Sequence, residues 1–216
     1  MRSLASLSQG DHICAVYESP DEQLRVLARY IGAGLEAGER CLYIVDDRSA
    51  EDVLAALERN AIDVRAAQSN KRLLLLTKRE SYLKGGTFDP DGMIWTLAAM
   101  TDEALAEGCS GLRITGEMTW ALGPETGCDR LLEYENKLNE MFPGSRAHAI
   151  CQYNRARFSP AIIRDVLRLH PLAIVGESVY PNPFYEPPHI SGLAADDPRR
   201  LDHMLSQLTA PTPRES

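Results

Sequence analysis

"HICAVYESPDEQLRVLARYIGAGLEAGERCLYIVDD", residues 12–47, decides the fold because two apolar strand-like runs flank one amphipathic stretch. Between the runs, Ser19 precedes Pro20 and Glu22, which is typical of a helix N-cap with proline at the first helical position and a capping box. Behind this cap, apolar residues recur at helical spacing: Leu24, Leu27, Ile31 and Leu35. Gly38 is a natural helix end. The stretch therefore predicts a strand, a helix and a second strand.

The same alternation continues along the chain. Further apolar runs, each strand-like, lie at residues 72–77, 111–118, 147–153 and 172–177. Ser49, Asp89 and Ser159 precede amphipathic stretches and are predicted to cap helices there. Most of the strands are apolar on both faces, which is typical of parallel strands covered by helices. We predict a three-layer α/β fold, with a mainly parallel sheet of about six strands and helices on both faces.

The composition changes near the C-terminus. "YPNPFYEPPHISG", residues 180–192, contains four prolines, so we expect an extended strap and no helix there. Residues 196–208 place four apolar side chains at helical spacing: Leu201, Met204, Leu205 and Leu208. We therefore predict a main domain over residues 1–188 and a tail over 189–216 with a short amphipathic helix. Its narrow apolar stripe must dock on its own domain, on a second copy or on a partner protein.

Charge and composition exclude several classes of protein. The 216 residues carry 23 basic and 31 acidic side chains, a net charge of −8, which disfavours direct nucleic-acid binding. No run of 18 apolar residues could span a membrane, and residues 1–11 lack the apolar core of a secretory signal. The five cysteines form no CxxC pair, which indicates reduced thiols and no zinc knuckle. We expect a cytoplasmic protein without a cofactor or a metal site.

The loops after the strands are the expected place for a ligand in an open parallel sheet. A nucleotide needs a glycine-rich turn whose backbone amides face its phosphates. Here the turn after the first strand reads "YESPDEQ", residues 17–23, in which proline lacks the amide hydrogen and three carboxylates occupy the start of the helix. Ordinary ATP or NAD binding is therefore disfavoured.

Several blocks of the chain resemble one known family. "GDHICAVYESPDEQLRVLARYIGAGLEAGERCLYIVDD", "GLRITGEMTWAL", "YENKLN", "CQYNRARFSP" and "RLHPLAIVGESVYPNPFY" look like successive blocks of the MEDS domain, the methanogen and methylotroph DcmR sensory domain. The resemblance runs in one collinear series from Gly10 to Pro188.

The resemblance carries its own implications about fold and function. It implies a RecA/KaiC-like core without a phosphate-binding loop and a sensor of small organic, hydrocarbon-derived molecules. Members of the family often carry a histidine-kinase, anti-sigma or DNA-binding output domain. Nothing after residue 188 is large enough to be such a domain, so we expect signalling in trans. The expected partner is a regulatory protein, namely a histidine kinase, an anti-sigma factor or a transcription factor, and a homo-oligomer stays open.

Six residues are candidates for ligand binding. Glu117 and Trp120 follow the strand "GLRITGEM", and a carboxylate beside an indole suits a small organic ligand. Tyr17 and Tyr153 end strands and could orient a ligand, whereas Glu135 and His12 enter through the family blocks. Each residue also has a structural explanation: a capping carboxylate, a packed indole, half-buried phenols, a solvated glutamate and a core histidine.

Two other functions are weaker alternatives. A Cys–His nucleophile would need contact at an open rim, yet His12 begins its strand and should lie at the opposite edge of the sheet. No catalytic residue is therefore expected. The alternatives to a sensory domain are a ligand-free protein-interaction module and an enzyme, either a degenerate RecA-like ATPase or a thiol hydrolase.

Overall fold

The computed structural model describes residues 3–209 as an α/β fold with one seven-stranded sheet. Its strands are β1 (His12–Tyr17), β2 (Arg40–Val45), β3 (Leu73–Thr77), β4 (Leu112–Glu117), β5 (Ala147–Asn154), β6 (Leu172–Val175) and β7 (Ser178–Pro181). Its helices are α1 (Pro20–Glu36), α2 (Ala50–Arg59), α3 (Val64–Ser69), α4 (Pro90–Ala106), α5 (Leu131–Met141), α6 (Pro160–Arg168), α7 (Pro188–Ser191) and α8 (Pro198–Thr209).

The sheet has the order β3-β2-β4-β5-β1-β6-β7, and all of its pairs are parallel except β6 with β7. β1 lies between β5 and β6, with His12 opposite Ala149 and Ile13 opposite Leu172. The carboxyl ends of β1, β2, β4 and β5 therefore meet at one edge. The three-layer, mainly parallel architecture predicted from the sequence is confirmed.

Alternating side chains of each strand enter two apolar cores. Ile13 and Ala15 of β1 pack with α1, α2 and α3 on one face, and Cys14 packs with α4, α5 and α6 on the other. Large buried side chains fill the second core, among them Trp120 and Phe142. This two-sided burial is the reason that the strands read as continuous apolar runs.

The predicted helix caps are present. The Ser19 hydroxyl accepts a hydrogen bond from the Glu22 amide (3.2 Å), and Asp89 and Ser159 cap α4 and α6 in the same way. Two short helices were not predicted, namely α3 and the four-residue α7. The expectation that the prolines of residues 180–192 exclude a helix is wrong for α7, because Pro188 occupies its first turn, where a missing amide hydrogen costs nothing.

The seventh strand is the main difference from the prediction. The sequence suggested six strands followed by an extended strap, yet the chain reverses at Gly176, whose φ of +61° suits glycine. Residues after this turn pair antiparallel with β6, so β7 covers its edge. A two-residue reversal leaves little sequence signal between the two strands, which explains why the second one was not predicted.

α8 has the predicted amphipathic pattern but docks by its polar side. Arg200 lies 2.5 Å from Glu186, and the ring of His203 contacts the carbonyl of Tyr185 at 2.8 Å. The apolar stripe faces away from these contacts, and its members are more than half exposed: Leu201, Met204, Leu205 and Leu208. Within residues 3–209, no helix is long and apolar enough to cross a membrane.

Candidate functional site

Glu117, at the end of β4, is enclosed by hydrogen-bond donors. One carboxylate oxygen accepts from the backbone amides of Asp46 and Arg48, each at 2.9 Å. The other accepts from the Tyr43 hydroxyl at 2.9 Å and from Gln23 Nε2 at 3.3 Å. The residue has no exposed surface, and burial raises its pKa although these donors act in the opposite direction. Glu117 therefore closes the turn that follows β2.

Trp120 follows Glu117 closely in the chain, and Tyr17 lies near it in space. In the described part of the chain, neither side chain hydrogen-bonds to Glu117. Trp120 belongs to a 3-10 turn, Met118–Leu122, and stacks on Tyr82 with ring centroids 4.8 Å apart. The indole is fully buried. Burial raises the pKa of Tyr17, with Glu117 and Asp47 adding to the effect. Within the described residues, neither Tyr17 Oη nor Trp120 Nε1 has a hydrogen-bond partner.

The other three candidates meet in a second place, between the sheet and α5. His12 Nε2 lies 3.0 Å from Glu135 Oε2, and the Tyr153 hydroxyl donates a hydrogen bond to Glu135 Oε1. His170, just after α6, places its Nε2 3.2 Å from the same Oε2, and Cys151 Sγ lies 3.5 Å from His12 Nε2. We call His12, Glu135, Cys151 and His170 the buried cluster, since none is more than 5% exposed.

Neighbouring groups fix both imidazoles of the buried cluster. Asn139 uses its amide nitrogen to donate to Leu169 O at 2.6 Å, which turns its oxygen toward His12 Nδ1 at 2.9 Å. His170 Nδ1 lies 2.7 Å from Val166 O. A carbonyl oxygen can only accept, so each Nδ1 carries a proton, and a neutral imidazole then presents its Nε2 lone pair to Glu135.

The environment shifts the pKa values of these groups in opposite directions. Burial lowers the pKa of His12, and the adjacent His170 lowers it further against the effect of Glu135 and Asn139. Burial alone would raise the pKa of Glu135, but His170 and His12 outweigh it and hold that pKa well below its ordinary value. Burial, with Glu135 nearby, raises the pKa of the Cys151 thiol. The cluster thus favours neutral His12, an ionised Glu135 and, without a cation, a protonated thiol.

Sequence reasoning missed His170, Cys151 and Asn139 as members of this group. His170 lies just after the end of α6, and Cys151 is a buried thiol of β5, so neither has a local signal of a site. His12 begins β1, away from the strand exits, and the long Tyr153 side chain and α5 bridge the distance along the sheet to Glu135. Only the strand order β5-β1-β6 brings these residues together.

A groove of about 830 Å³ opens at the ends of β1 and β6 beside α6. Its lining is mainly apolar: Val16, Phe158, Ile163, Leu167, Ile174, Val175 and Phe184. The polar groups at its rim include the ion pair of Arg155 with Glu18 (2.5 Å). Val175 and Phe184 are each about two-thirds exposed, at 67% and 69%. None of the six predicted residues lines this groove. The ring of Tyr153, however, packs edge-on against that of Phe158, with ring centroids 5.3 Å apart.

The turn between β1 and α1 has no cradle for a phosphate. The Glu18 amide donates to the Glu22 carboxylate at 2.9 Å, and the Glu22 amide donates to the Ser19 hydroxyl. Pro20 supplies no amide hydrogen. Two amides of the turn are therefore already used, and a third is missing.

A family model for the MEDS domain, "MEthanogen/methylotroph, DcmR Sensory domain", matches residues 11–171. The chain belongs to the MEDS family. The match spans the sheet from β1 to the residue before β6 and includes the whole buried cluster. The MEDS domain of this chain is thus a member of a sensory family, as its sequence blocks indicate.

Relatives of this MEDS domain include a transcriptional regulator. The chain is 29% identical over 164 residues to the transcriptional repressor DcmR of Methylorubrum extorquens. The aligned region covers 74% of this chain and 58% of the repressor. The chain therefore spans little more than half of that relative. The kinship supports a sensory and regulatory role for the MEDS domain.

Solved structures place the fold among RecA/KaiC-like proteins. A KaiC-like protein from Pyrococcus horikoshii OT3 has a TM-score of 0.50 at 14% identity, covering 76% of this chain and 70% of that protein. The flagellar accessory protein FlaH from Methanocaldococcus jannaschii has a TM-score of 0.53 at 13% identity, covering 80% and 76%. At such low identity these likenesses describe the fold alone. The predicted RecA/KaiC-like core is confirmed.

Proposed function

We propose that this MEDS domain binds a small organic, hydrocarbon-derived molecule in the groove at the ends of β1 and β6. The observation that carries the proposal is the apolar lining of that groove at the strand exits. Sites for small molecules are mostly apolar, enclose about 300–1,000 Å³ and contain a few convergent polar groups. The groove meets each of these conditions, and its position is the usual one for an open parallel sheet.

The exposed side chains of the groove also support a ligand. Val175 and Phe184 present large apolar surfaces to solvent beside the partly buried Ile163 and Leu167. An apolar guest would remove this surface from water, at about 25 cal/mol per Å². Arg155 and Glu18 at the rim could then hold a polar end of the molecule.

The groove is connected to the buried cluster. Phe158 lines the groove and contacts Tyr153, whose hydroxyl donates to Glu135. α6 forms one wall of the groove, and His170 follows its C-terminus. In this proposal Tyr153, Glu135 and His12 respond to the ligand without touching it. If the ligand instead lies at the carboxyl end of β4, we expect Tyr17, Glu117 and Trp120 to contact it.

A regulatory protein is the proposed receiver of the signal, acting in trans as a histidine kinase, an anti-sigma factor or a transcription factor. The exposed stripe of α8 supports a second candidate function, that of an interaction module which works without a ligand or by self-association. Four exposed apolar side chains on one helix are a common feature of a docking surface. A sensory domain signals only when a ligand occupies the groove, whereas an interaction module works with the groove empty.

A degenerate ATPase or a thiol hydrolase finds less support. The β1–α1 turn uses the amides of Glu18 and Glu22 internally, and burial raises the pKa of the Cys151 thiol, which disfavours a nucleophilic thiolate. The five cysteines are free and buried, which fits the cytoplasmic location expected from the sequence.

The proposal is tested by binding measurements with a panel of short-chain alcohols, halogenated alkanes and alkanes. Phe184→Ala and Val175→Asn should weaken binding about ten- to hundredfold, because each removes apolar contact worth roughly 1.5–3 kcal/mol. Trp95→Ala is the matched control, since Trp95 is also exposed (74%) but lies on α4. Unchanged affinity in both groove variants, or no binding across the panel, would reject the groove as the site.

A further inference from the structure

The buried cluster unites four side chains of the types that bind transition metals. They come from separate elements: His12 from β1, Glu135 from α5 and Cys151 from β5. His170 is the second residue after α6. One ligand atom from each lies within 4.8 Å of the other three. All four side chains are buried, so water does not satisfy them.

The atoms that face each other are all of types that can bind a metal ion. Both Nδ1 protons are bound by oxygen acceptors, so the neutral imidazoles direct their two Nε2 lone pairs at Glu135 Oε2. Within residues 3–209, the fully buried Glu135 Oε2 and His170 Nε2 have no hydrogen-bond partner outside the buried cluster. Buried polar atoms are almost always paired, and either a metal ion or a proton shared between these atoms would pair them.

No Lys or Arg of the described chain makes an ion pair with Glu135; only the two histidines lie within reach. A divalent ion would balance the cluster, because one carboxylate and one thiolate together carry two negative charges. The surroundings already hold the ligands in place: Asn139 and Val166 O orient the imidazoles, and Tyr153 fixes the second carboxylate oxygen. Such outer partners are typical of metal-binding histidines and carboxylates.

We propose that the buried cluster binds one divalent transition-metal ion, with zinc as the first candidate. A tetrahedral zinc ion with bonds of about 2.0 Å to N or O and 2.3 Å to S separates its ligand atoms by about 3.3–3.6 Å. The structure gives 3.0, 3.2 and 3.5 Å for three of these separations. The largest separation, up to 4.8 Å, requires one side chain to move by about 1 Å.

The mixed nitrogen, sulfur and oxygen ligand set suits zinc better than calcium or magnesium, which prefer oxygen alone. All four positions are filled by the protein, as in structural zinc sites, so the ion should be retained during purification. This site is separate from the groove, and its test does not depend on any organic ligand.

The experiment is the metal content of the full chain, produced without a polyhistidine tag in zinc-supplemented medium. Mass spectrometry of the metals should give about one zinc per chain. Expression with cobalt in minimal medium should give the thiolate-to-cobalt charge-transfer band and the intense visible bands of a tetrahedral site. Cys151→Ser should remove the charge-transfer band, and Glu135→Gln should reduce the bound metal to a small fraction.

Cys41→Ser is the matched control, because Cys41 is an equally buried thiol on the opposite face of the sheet. It should keep the full metal content and the charge-transfer band. If a ligand variant does not fold, X-ray absorption of the wild-type protein still counts the sulfur and nitrogen or oxygen neighbours. A wild-type chain with only traces of metal and no cobalt band would overturn the proposal in favour of a shared proton. Full metal content in both ligand variants would overturn it too.

Discussion

At the scale of single residues, Glu117 shows how a carboxylate at a strand exit can be structural. Its oxygens accept from two backbone amides of the loop after β2 and from two side chains of other elements. The sequence suggested a ligand-binding role because an unpaired carboxylate there would be costly. The structure supplies the partners from inside the protein.

Glu117→Gln should therefore lower the free energy of unfolding by about 1.5–3 kcal/mol, since a charged acceptor of backbone hydrogen bonds is replaced by a neutral group with one acceptor. Denaturant unfolding measures the change. Glu36→Gln is the control, because Glu36 ends α1 and is exposed. Equal stability of the two variants, together with weakened ligand binding by Glu117→Gln, would instead assign Glu117 to the ligand site.

Glu39 is a second buried carboxylate, and it predicts how stability depends on pH. Arg113 Nε lies 2.5 Å from its oxygen, and His148 Nε2 lies 3.4 Å away. Burial alone would raise the pKa of Glu39, but His148 and Arg113 outweigh burial and lower it to about 2.

Because this folded-state pKa lies below the ordinary value of 4.5, the contribution of Glu39 to stability is complete above about pH 4.5. It should be lost as the pH falls toward about 2, by up to about 3 kcal/mol. The check is the free energy of unfolding between pH 6 and pH 2 (roughly the span of the two pKa values) for wild type and Glu39→Gln. Parallel curves for the two proteins would show that Glu39 does not titrate as described.

At the scale of elements, α8 combines a fixed polar side with an exposed apolar one. Arg200 and His203 hold the helix against Glu186 and Tyr185 O. Leu205 and Leu208, by contrast, are 51% and 82% exposed. The helix thus does not complete the core with its stripe.

Leu205→Lys and Leu208→Lys should leave the melting temperature within a few degrees of wild type, because exposed substitutions change stability by about 0.5 kcal/mol or less. The same changes should reduce self-association, or capture of a regulatory partner, measured by sedimentation and by pull-down. Gln207→Lys, an exposed neighbour on α8, is the control. A large drop in melting temperature with unchanged association would mean that the stripe belongs to the core.

At the scale of the whole molecule, the sequence predicts the layers and the sheet well because they depend on local signals. Caps at Ser19, Asp89 and Ser159 and runs of apolar residues mark most helices and strands. β7 was not predicted because only a two-residue turn at Gly176 joins it to β6. Local pattern does not encode such a tight reversal strongly.

The buried cluster could be predicted only in part, for a different reason. His12, Glu135 and Tyr153 were candidates through the family blocks, but nothing in their spacing places them together. Their meeting depends on the pairing of β1 with β5 and on the packing of α5 beneath both strands. Long-range strand order, which the local pattern leaves open, decides which residues share a site.

The most direct test of the proposed function is the location of a bound ligand by methyl NMR of the full chain. Titration with the best binder of the hydrocarbon-derived panel should shift the methyl signals of Val16, Ile163, Leu167 and Val175, which line the groove. Val53 and Leu57, which pack between α2 and the opposite face of the sheet, should not shift. Shifts confined to methyl groups away from the groove, or none at saturating ligand, would contradict the account.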